Sequence, residues 1–353
     1  MKLNKLRELF GGLGIDGILV TSGVNLRYIT GFTGSSGLAV ISDDQAVFIT
    51  DFRYTEQAKD QIKGFDIVQH AGGIVQKTAE VIKEMGINKI GFEQDKMTYG
   101  TYATYKEQLG AAELVPVSQS VEKLRLIKSS EEIKILKEAA KIADDAFSHI
   151  LTVIKPGITE IEVANELEFY MRSQGADHSS FDMIVASGVR SSLPHGVASG
   201  KAIEKGDLVT LDFGAYYKGY CSDITRTVAV GEPDDELKRL YQTVFEAQAI
   251  GMRSIKPGIT GKQADAYTRD YISSQGYGDY FGHSTGHGLG MEVHESPALS
   301  ARSDQMLEKG MVVTVEPGIY IPGKGGVRIE DDIVLTEEGN ESLTHSAKDL
   351  IIL

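Results

Sequence analysis

The chain of 353 residues has a single cysteine, Cys221, so no disulfide can form within it. It has no apolar run long enough to cross a bilayer. Its first residues, MKLNKLRELFGG, lack the apolar core of a signal peptide. Basic charge is also scarce: 36 Lys and Arg stand against 50 Asp and Glu, a net charge of -14. A surface that neutralises phosphates needs clustered Lys and Arg, so nucleic acid is excluded as a partner. These absences lead us to expect a cytoplasmic protein that binds no membrane. No Pro-rich or Gly/Ser-rich linker interrupts the chain either. The pattern nevertheless changes around Val121–Ser129, which predicts two domains, 1–125 and 126–353, packed rather than tethered.

In the first domain, short β-branched runs alternate with helical patterns. Strands are expected at Ile15–Val20, Leu38–Ile41, Ala46–Thr50, Ile67–Gln69 and Lys89–Phe92, and helices at Tyr54–Ile62, Ile74–Met85 and Tyr99–Leu109. This alternation describes an α/β domain. Gly12, Gly14 and Gly17 spell G-x-G-x-x-G, but they follow a helix and open a strand. A dinucleotide-binding loop needs the opposite order, so that reading is rejected. Asp51, Arg53 and Tyr54 follow a strand end, where binding groups often sit; the competing reading is a helix N-terminal charge with its neighbours.

The second domain opens on a helix capped by Ser129 with Glu132, whose apolar residues from Ile133 to Ile154 step by three and four. It also repeats itself. IKPGIT occurs at Ile154–Thr159 and at Ile255–Thr260, with SQG following at Ser173 and Ser274. EKGDLVTLDFGAYY, Glu204–Tyr217, returns as EKGMVVTVEPGIYI, Glu308–Ile321, which sets Asp212 opposite Glu316. Two copies are too few for a solenoid. They predict two half-domains related by a pseudo-twofold axis, each reading helix, turn, helix, strands, and each donating carboxylates to one central site.

Five residues of that domain have the right types for a metal centre: Asp212, Asp223, His287, Glu316 and Glu330. Burying a carboxylate needs a proton, a basic partner or a metal. Four that converge would repel one another, and two divalent ions would balance them. The spacing of His283 and His287 suggests a helical zinc pair, but Gly282, Gly286, Gly288 and Gly290 break any helix there, and His294-Glu295 is followed by Pro297 rather than a second His. The glycines point instead to a loop that passes close to a ligand. His195, His283, His287 and His294 lie in Gly-bearing segments, whereas His70, His149, His178 and His345 read as surface or packing residues. Cys221, with no paired base, reads as a small core residue.

LPHG at Leu193, GHGLGMEVHE at Gly286, VEPGIY at Val315 and GVRIEDD at Gly326, together with the spacing of Asp212 and Asp223, resemble the pita-bread metallopeptidases of the proline-specific branch, prolidase and aminopeptidase P. The resemblance covers the whole chain. It implies an α+β architecture, an N-terminal α/β creatinase-like domain serving dimerisation and substrate access, followed by a pita-bread catalytic domain with an internal pseudo-twofold repeat. It further implies that Asp212 binds one metal, His287 and Glu316 the other, and that Asp223 and Glu330 bridge them. Glu316 would shuttle the proton, His195 and His294 would contact the peptide carbonyl, and His283 and Arg328 would line the substrate site. An oxygen-rich ligand set with one imidazole favours Mn²⁺, with Co²⁺ or Zn²⁺ possible. The expected activity is Xaa-Pro dipeptide hydrolysis by a homodimer, with proline-containing dipeptides or short peptides as substrates. The alternatives are an aminopeptidase P acting on longer peptides, a metal-free hydrolase like creatinase, and a non-catalytic binding protein on the same fold.

Overall fold

The structure is a computed structural model that describes residues 2–353. The chain divides into a unit ending at Arg125 and a unit spanning Leu126–Leu353. In the first unit six strands form one sheet in the order Asp66–Gln69, Ala46–Thr50, Leu38–Ser42, Gly17–Val20, Lys89–Glu93 and Glu113–Val117. Leu38–Ser42 runs antiparallel to both neighbours, and the other pairs are parallel. The three strands from Gly17 to Thr50 are buried along their length, as continuous apolar runs demand. Helices Ile74–Glu84 and Tyr99–Gln108 contribute Val81, Ile82 and Tyr105 to the core they share with Leu19, Val40 and Ile90.

The expected elements are present, with ends moved by a residue or two. Gly14 stops the short helix Phe10–Leu13 in the left-handed region (φ 66°), and Gly17 opens the first strand, so the glycine triplet is a helix stop. Three elements escaped the sequence reading: the helix Gly23–Thr30, the strand Glu113–Val117 and the short helix Glu122–Arg125. The longer helix is rich in β-branched residues and has no side-chain cap. The strand contains Pro116, which is tolerated because the strand lies at the sheet edge.

In the second unit both halves have the expected order. Helices Ser130–Ile150 and Glu160–Ser173 open the first half, and Asp235–Ser254 and Gly261–Ser274 the second. Capping boxes at Ser129, Thr159 and Thr260 each pair the cap side chain with the third residue of the helix. Leu136, Ala140, Ala143, Phe147 and Ile150 form the buried stripe of the first helix. The strands follow in four antiparallel sheets, two of which carry the main strands of the halves. The first has the order Ile224–Ala229, Leu208–Phe213, Ile184–Ser187; the second has Glu295–Leu299, Gly286–Gly288, Val312–Val315, Asp331–Leu335, Asn340–Ser342.

Each half contains a long hairpin that breaks register midway. Leu208–Phe213 pairs with Ile224–Ala229, then Ala215–Tyr217 pairs with Tyr220–Cys221 beyond the break. Val312–Val315 pairs with Asp331–Leu335, then Gly318–Ile321 with Gly325–Arg328. Gly214 sits at the first break, where a Cβ would lie 1.7 Å from the Ser222 carbonyl oxygen. No other residue fits so close an approach. The two hairpins meet at their breaks: Glu330 N–H donates to the Thr225 carbonyl (3.1 Å) and Asp223 N–H to Asp332 Oδ2 (2.9 Å).

Arg226, 1% exposed, clamps this junction from behind. Its guanidinium donates to the carbonyls of Thr225 and Glu330, pairs with Asp331 at 2.7 Å, and reaches Ser346 and Ala347 in the C-terminal tail. Lys348 (2.6 Å), Gln248 (2.8 Å) and the Thr344 hydroxyl (2.8 Å) complete the shell of Asp331. Burial pushes the Asp331 carboxyl up, but Arg226 and Lys348 outweigh it and hold it below its ordinary range. Removing one partner of such a pair leaves a buried charge uncompensated. Arg226→Met is expected to destabilise the protein by about 3–5 kcal/mol in urea unfolding; a loss under about 1 kcal/mol would show that the clamp contributes little.

Candidate metal centre

The acidic residues gather where the two hairpins change direction. Asp212 lies in Leu208–Phe213, and Asp223 directly precedes Ile224–Ala229. Glu316 directly follows Val312–Val315, and Glu330 directly precedes Asp331–Leu335. Asp212 stays in regular register between its two neighbouring strands, whereas Asp223, Glu316 and Glu330 sit where the ladder is interrupted, and all four line a cavity of about 520 Å³. Asp212, Asp223, His287, Glu316 and Glu330 all line it, as do His195, His283, His294 and Arg328. All nine residues singled out from the sequence therefore face one space.

One donor atom each from Asp223, His287 and Glu330 lie within 4.8 Å of one another. His287 Nδ1 is 3.1 Å from the Gly288 carbonyl, leaving Nε2 towards the acids, 3.4 Å from Glu316 Oε1 and 3.7 Å from Asp223 Oδ2. Glu330 Oε2 accepts from the Thr225 hydroxyl at 2.6 Å. Its other oxygen, Oε1, and Asp223 Oδ1 are buried and have no hydrogen-bond partner. Asp212 is turned aside onto the Arg328 guanidinium. Arg328 is otherwise engaged with the Thr225 hydroxyl (3.1 Å), Tyr320 Oη (2.6 Å) and the Pro194 carbonyl (3.2 Å), so its donors face protein atoms.

The electrostatics follow from this crowding. Burial, then the neighbouring acids Glu330 and Asp212, raise the Asp223 carboxyl well above its ordinary value. Burial with Glu316 and Asp212 raises Glu330 likewise. Burial pushes Glu316 up to about 8 against the opposing pull of Arg328. Burial and His294 bring His287 down to about 4, so its imidazole is neutral at neutral pH and free to act as a ligand. Orphaned buried carboxylate oxygens beside a neutral imidazole, facing a single arginine, have the composition of a divalent-cation site. The residues present therefore fit metal binding.

The Gly-rich segment differs from expectation. Gly286–Gly288 forms a short strand rather than a ligand-hugging loop, and its glycines admit neighbouring backbone. A Cβ on Gly286 would lie 2.0 Å from the Thr314 carbonyl oxygen, and one on Gly288 2.2 Å from that of Ser296. Close strand packing demands these two glycines. Sequence reasoning also missed two polar neighbours. Tyr320 bridges Arg328 and His283 Nε2 (2.8 Å), and Asp332, buried with Oδ1 unpartnered, holds the Asp223 backbone. The repeat sets Tyr216 opposite Tyr320, a signal for the position that left open which copy enters the site; Tyr216 stacks on His178 instead. In the first unit, Arg53 closes onto Asp51 with two hydrogen bonds of 2.8 Å, and Tyr54 onto Ser35 (2.7 Å), a local cluster. Cys221 is buried, its thiol pushed up to about 12 by burial.

The raised carboxyls set a sign for stability. Glu316, with an ordinary value of 4.5 and a folded value of about 8, holds a proton in the folded state that the unfolded chain has released between those limits. Folding then takes up protons, and stability falls as pH rises through that window. Metal-free protein is expected to show a thermal midpoint that declines from about pH 5 to about pH 8, and Glu316→Gln to flatten the decline. A midpoint that rises over this range would contradict the assignment.

A family model described as metallopeptidase family M24 matches residues 134–337, and one described as the creatinase/prolidase N-terminal domain matches residues 2–127. The chain is 75% identical over 353 residues to an uncharacterized peptidase, YqhT, of Bacillus subtilis (strain 168), covering 100% of both chains. It is 41% identical over 356 residues to an Xaa-Pro dipeptidase of Pyrococcus horikoshii, covering 99% of this chain and 98% of that one. Among solved structures it resembles an Xaa-Pro dipeptidase from Bacillus anthracis, with a TM-score of 0.98 and 64% identity over 100% of this chain and 99% of that one.

Proposed function

Because the chain belongs to metallopeptidase family M24, with a creatinase/prolidase N-terminal domain ahead of a pita-bread domain, we propose that it is an Xaa-Pro dipeptidase that cleaves the bond between an N-terminal residue and proline. The observation that carries this reading is the pair of partnerless buried oxygens, Asp223 Oδ1 and Glu330 Oε1, beside the neutral imidazole of His287 in one cavity.

As a metallopeptidase the chain works with divalent metal ions. Asp212, Asp223, His287, Glu316 and Glu330 would hold a pair of them, and four carboxylates with one imidazole favour Mn²⁺. Bound there, the ions supply Lewis acidity towards the scissile carbonyl and towards water. Glu316 would move the proton, taking it from the attacking water and passing it to the departing proline nitrogen. That nitrogen has no N–H in the peptide and must gain a proton to leave as an amine. His195 and His294 stand at the cavity to contact the peptide carbonyl and offset its developing negative charge. His283, brought down to about 4 by burial and then by Arg328, stays neutral and, with Tyr320 and Arg328, shapes the wall that meets the substrate. Phe181, Ile184, Val197 and Val293 add apolar lining suited to a proline ring. A cytoplasmic homodimer, with the N-terminal domain serving dimerisation and substrate access, belongs to the same reading and rests on the family resemblance.

Protein stripped of metal should cleave an Xaa-Pro dipeptide only after Mn²⁺ is restored. Cleavage confined to Xaa-Pro-Xaa tripeptides would make it an aminopeptidase, and no restored activity on either would refute the peptidase reading. Glu316→Ala is expected to lower kcat by a factor of about 10³ or more while circular dichroism shows the fold intact. Turnover within about tenfold of the parent would remove Glu316 from the proton path.

A further inference from the structure

The two halves part company at one buried position. IKPGIT is followed by Glu160 in the first half and by Gly261 in the second. Glu160 is 0% exposed and its carboxylate is saturated. Oε1 accepts from the backbone N–H and the hydroxyl of Ser187, both at 2.8 Å. Oε2 accepts from the backbone N–H (3.1 Å) and the hydroxyl (2.6 Å) of Ser199, and from the Arg190 guanidinium. Ser187 and Ser199 are the two feet of the segment that carries His195. Arg190 spans the interior of that segment, since its second terminal nitrogen donates to the Val197 carbonyl at 2.9 Å. One carboxylate thus fastens both ends and the middle of the loop.

The loop has other anchors as well: Ala198 N–H donates to the Met183 carbonyl (3.4 Å), Val197 bridges to Ile184, and Lys201 Nζ donates to the Ser187 hydroxyl (3.0 Å). Val189, Leu193 and Val197 are 55%, 50% and 51% exposed, so little apolar burial holds it. Besides the Glu160 shell, the Arg328 bond to the Pro194 carbonyl and the bond from Gly326 N–H to Ser191 Oγ (2.8 Å) tie it to the second half. Gly261 cannot take over this task in the second half, because a Cβ there would already lie 2.2 Å from the Ala298 carbonyl oxygen. That half uses a different acid one helical turn further on. Asp265, 1% exposed, accepts from Thr285 N–H (3.0 Å) and Oγ1 (2.9 Å) and pairs with Arg269, which donates to the His283 carbonyl at 2.7 Å. Each half therefore secures one cavity histidine, His195 or His283, on a buried acid and an arginine.

We propose that Glu160 is a positioning residue for substrate binding, a buried carboxylate that sets where His195 and Pro194 stand over the cavity by holding both feet of their loop. The kinetic part of this inference rests on the dipeptidase reading; the structural part does not. Glu160→Gln keeps the shape but replaces one acceptor oxygen with a donor that faces donors, so part of the shell must open. Hydrogen exchange in this variant should quicken across residues 188–198 and at the Gly326 amide that donates to Ser191, and stay unchanged in the Asp212–Asp223 and Glu316–Tyr320 segments. Binding of Mn²⁺ by titration calorimetry should stay within about twofold of the parent. With an Xaa-Pro dipeptide, kcat/KM should fall about tenfold. The fall should vanish in a His195→Ala background, since residues that act through one another are not additive. Should Glu160→Gln fail to fold, Ser199→Ala, which removes one hydroxyl, should show the same pattern at smaller amplitude. Unaltered exchange in the loop, weakened Mn²⁺ binding, or additive effects with His195→Ala would each overturn the proposal. Absence of dipeptide turnover in the parent would count against the dipeptidase reading alone, with exchange still deciding whether Glu160 holds the loop.

Discussion

Negative charge held out of water is the constraint on which the second unit depends. Asp212, Asp223, Glu316 and Glu330 are brought together at the meeting of two hairpins, and Arg328 is the cation that reaches them from within. Such a cluster is unfavourable unless protons or metal ions balance it. The fold accepts the cost because most of the rest of the junction is satisfied. Thr225 caps Glu330, Asp332 holds the Asp223 backbone, and Arg226 closes the rear with Asp331 and Lys348. Three carboxylate oxygens remain unmet, on Asp223, Glu330 and Asp332, and the two on the cavity-lining residues Asp223 and Glu330 point to where the missing charge belongs.

Arginine–acid pairs recur at each level of this arrangement, doing different work. Arg226 with Asp331 joins the C-terminal tail to the back of the junction. Arg328 with Asp212 lies on the cavity side and links Tyr320 and the Pro194 loop. Arg190 with Glu160 and Arg269 with Asp265 secure the histidine-bearing segments of the two halves. Because a guanidinium is planar and has five donors, one side chain can hold an acid and several carbonyls at once. The rigid parts of the site thus come from pairs that are themselves buried or half-buried.

The duplication explains both the similarity and the differences between the halves. Helix pairs, capping boxes and kinked hairpins are shared, so the carboxylates fall in equivalent places. What lies around them is not shared: Tyr320 enters the cavity whereas Tyr216 stacks on His178, and Glu160 is matched by a glycine. A substrate with two chemically different ends needs an asymmetric cleft, and a metal centre needs only converging ligands. Symmetry is kept where charge must converge and lost where a peptide must be held.

Much of this was legible in the sequence because it is encoded locally or by repetition. Capping boxes are set within four residues, the buried stripe of Ser130–Ile150 by its spacing, and the equivalence of Asp212 and Glu316 by the recurrence of a strand motif. The resemblance to the pita-bread family drew the remaining site residues together, and all of them face one cavity. The edge strand at Glu113–Val117 was hidden by Pro116, and Gly286 and Gly288 serve close strand packing. Only the tertiary structure decided which carboxylate oxygens are left without partners, that Arg328 turns to Asp212, and that Glu160 holds the feet of the His195 loop. These depend on contacts between residues far apart in the chain, where neither spacing nor composition carries a signal. The sequence by itself determined which residues had to converge; packing decided which of them are satisfied by the protein and which await a ligand.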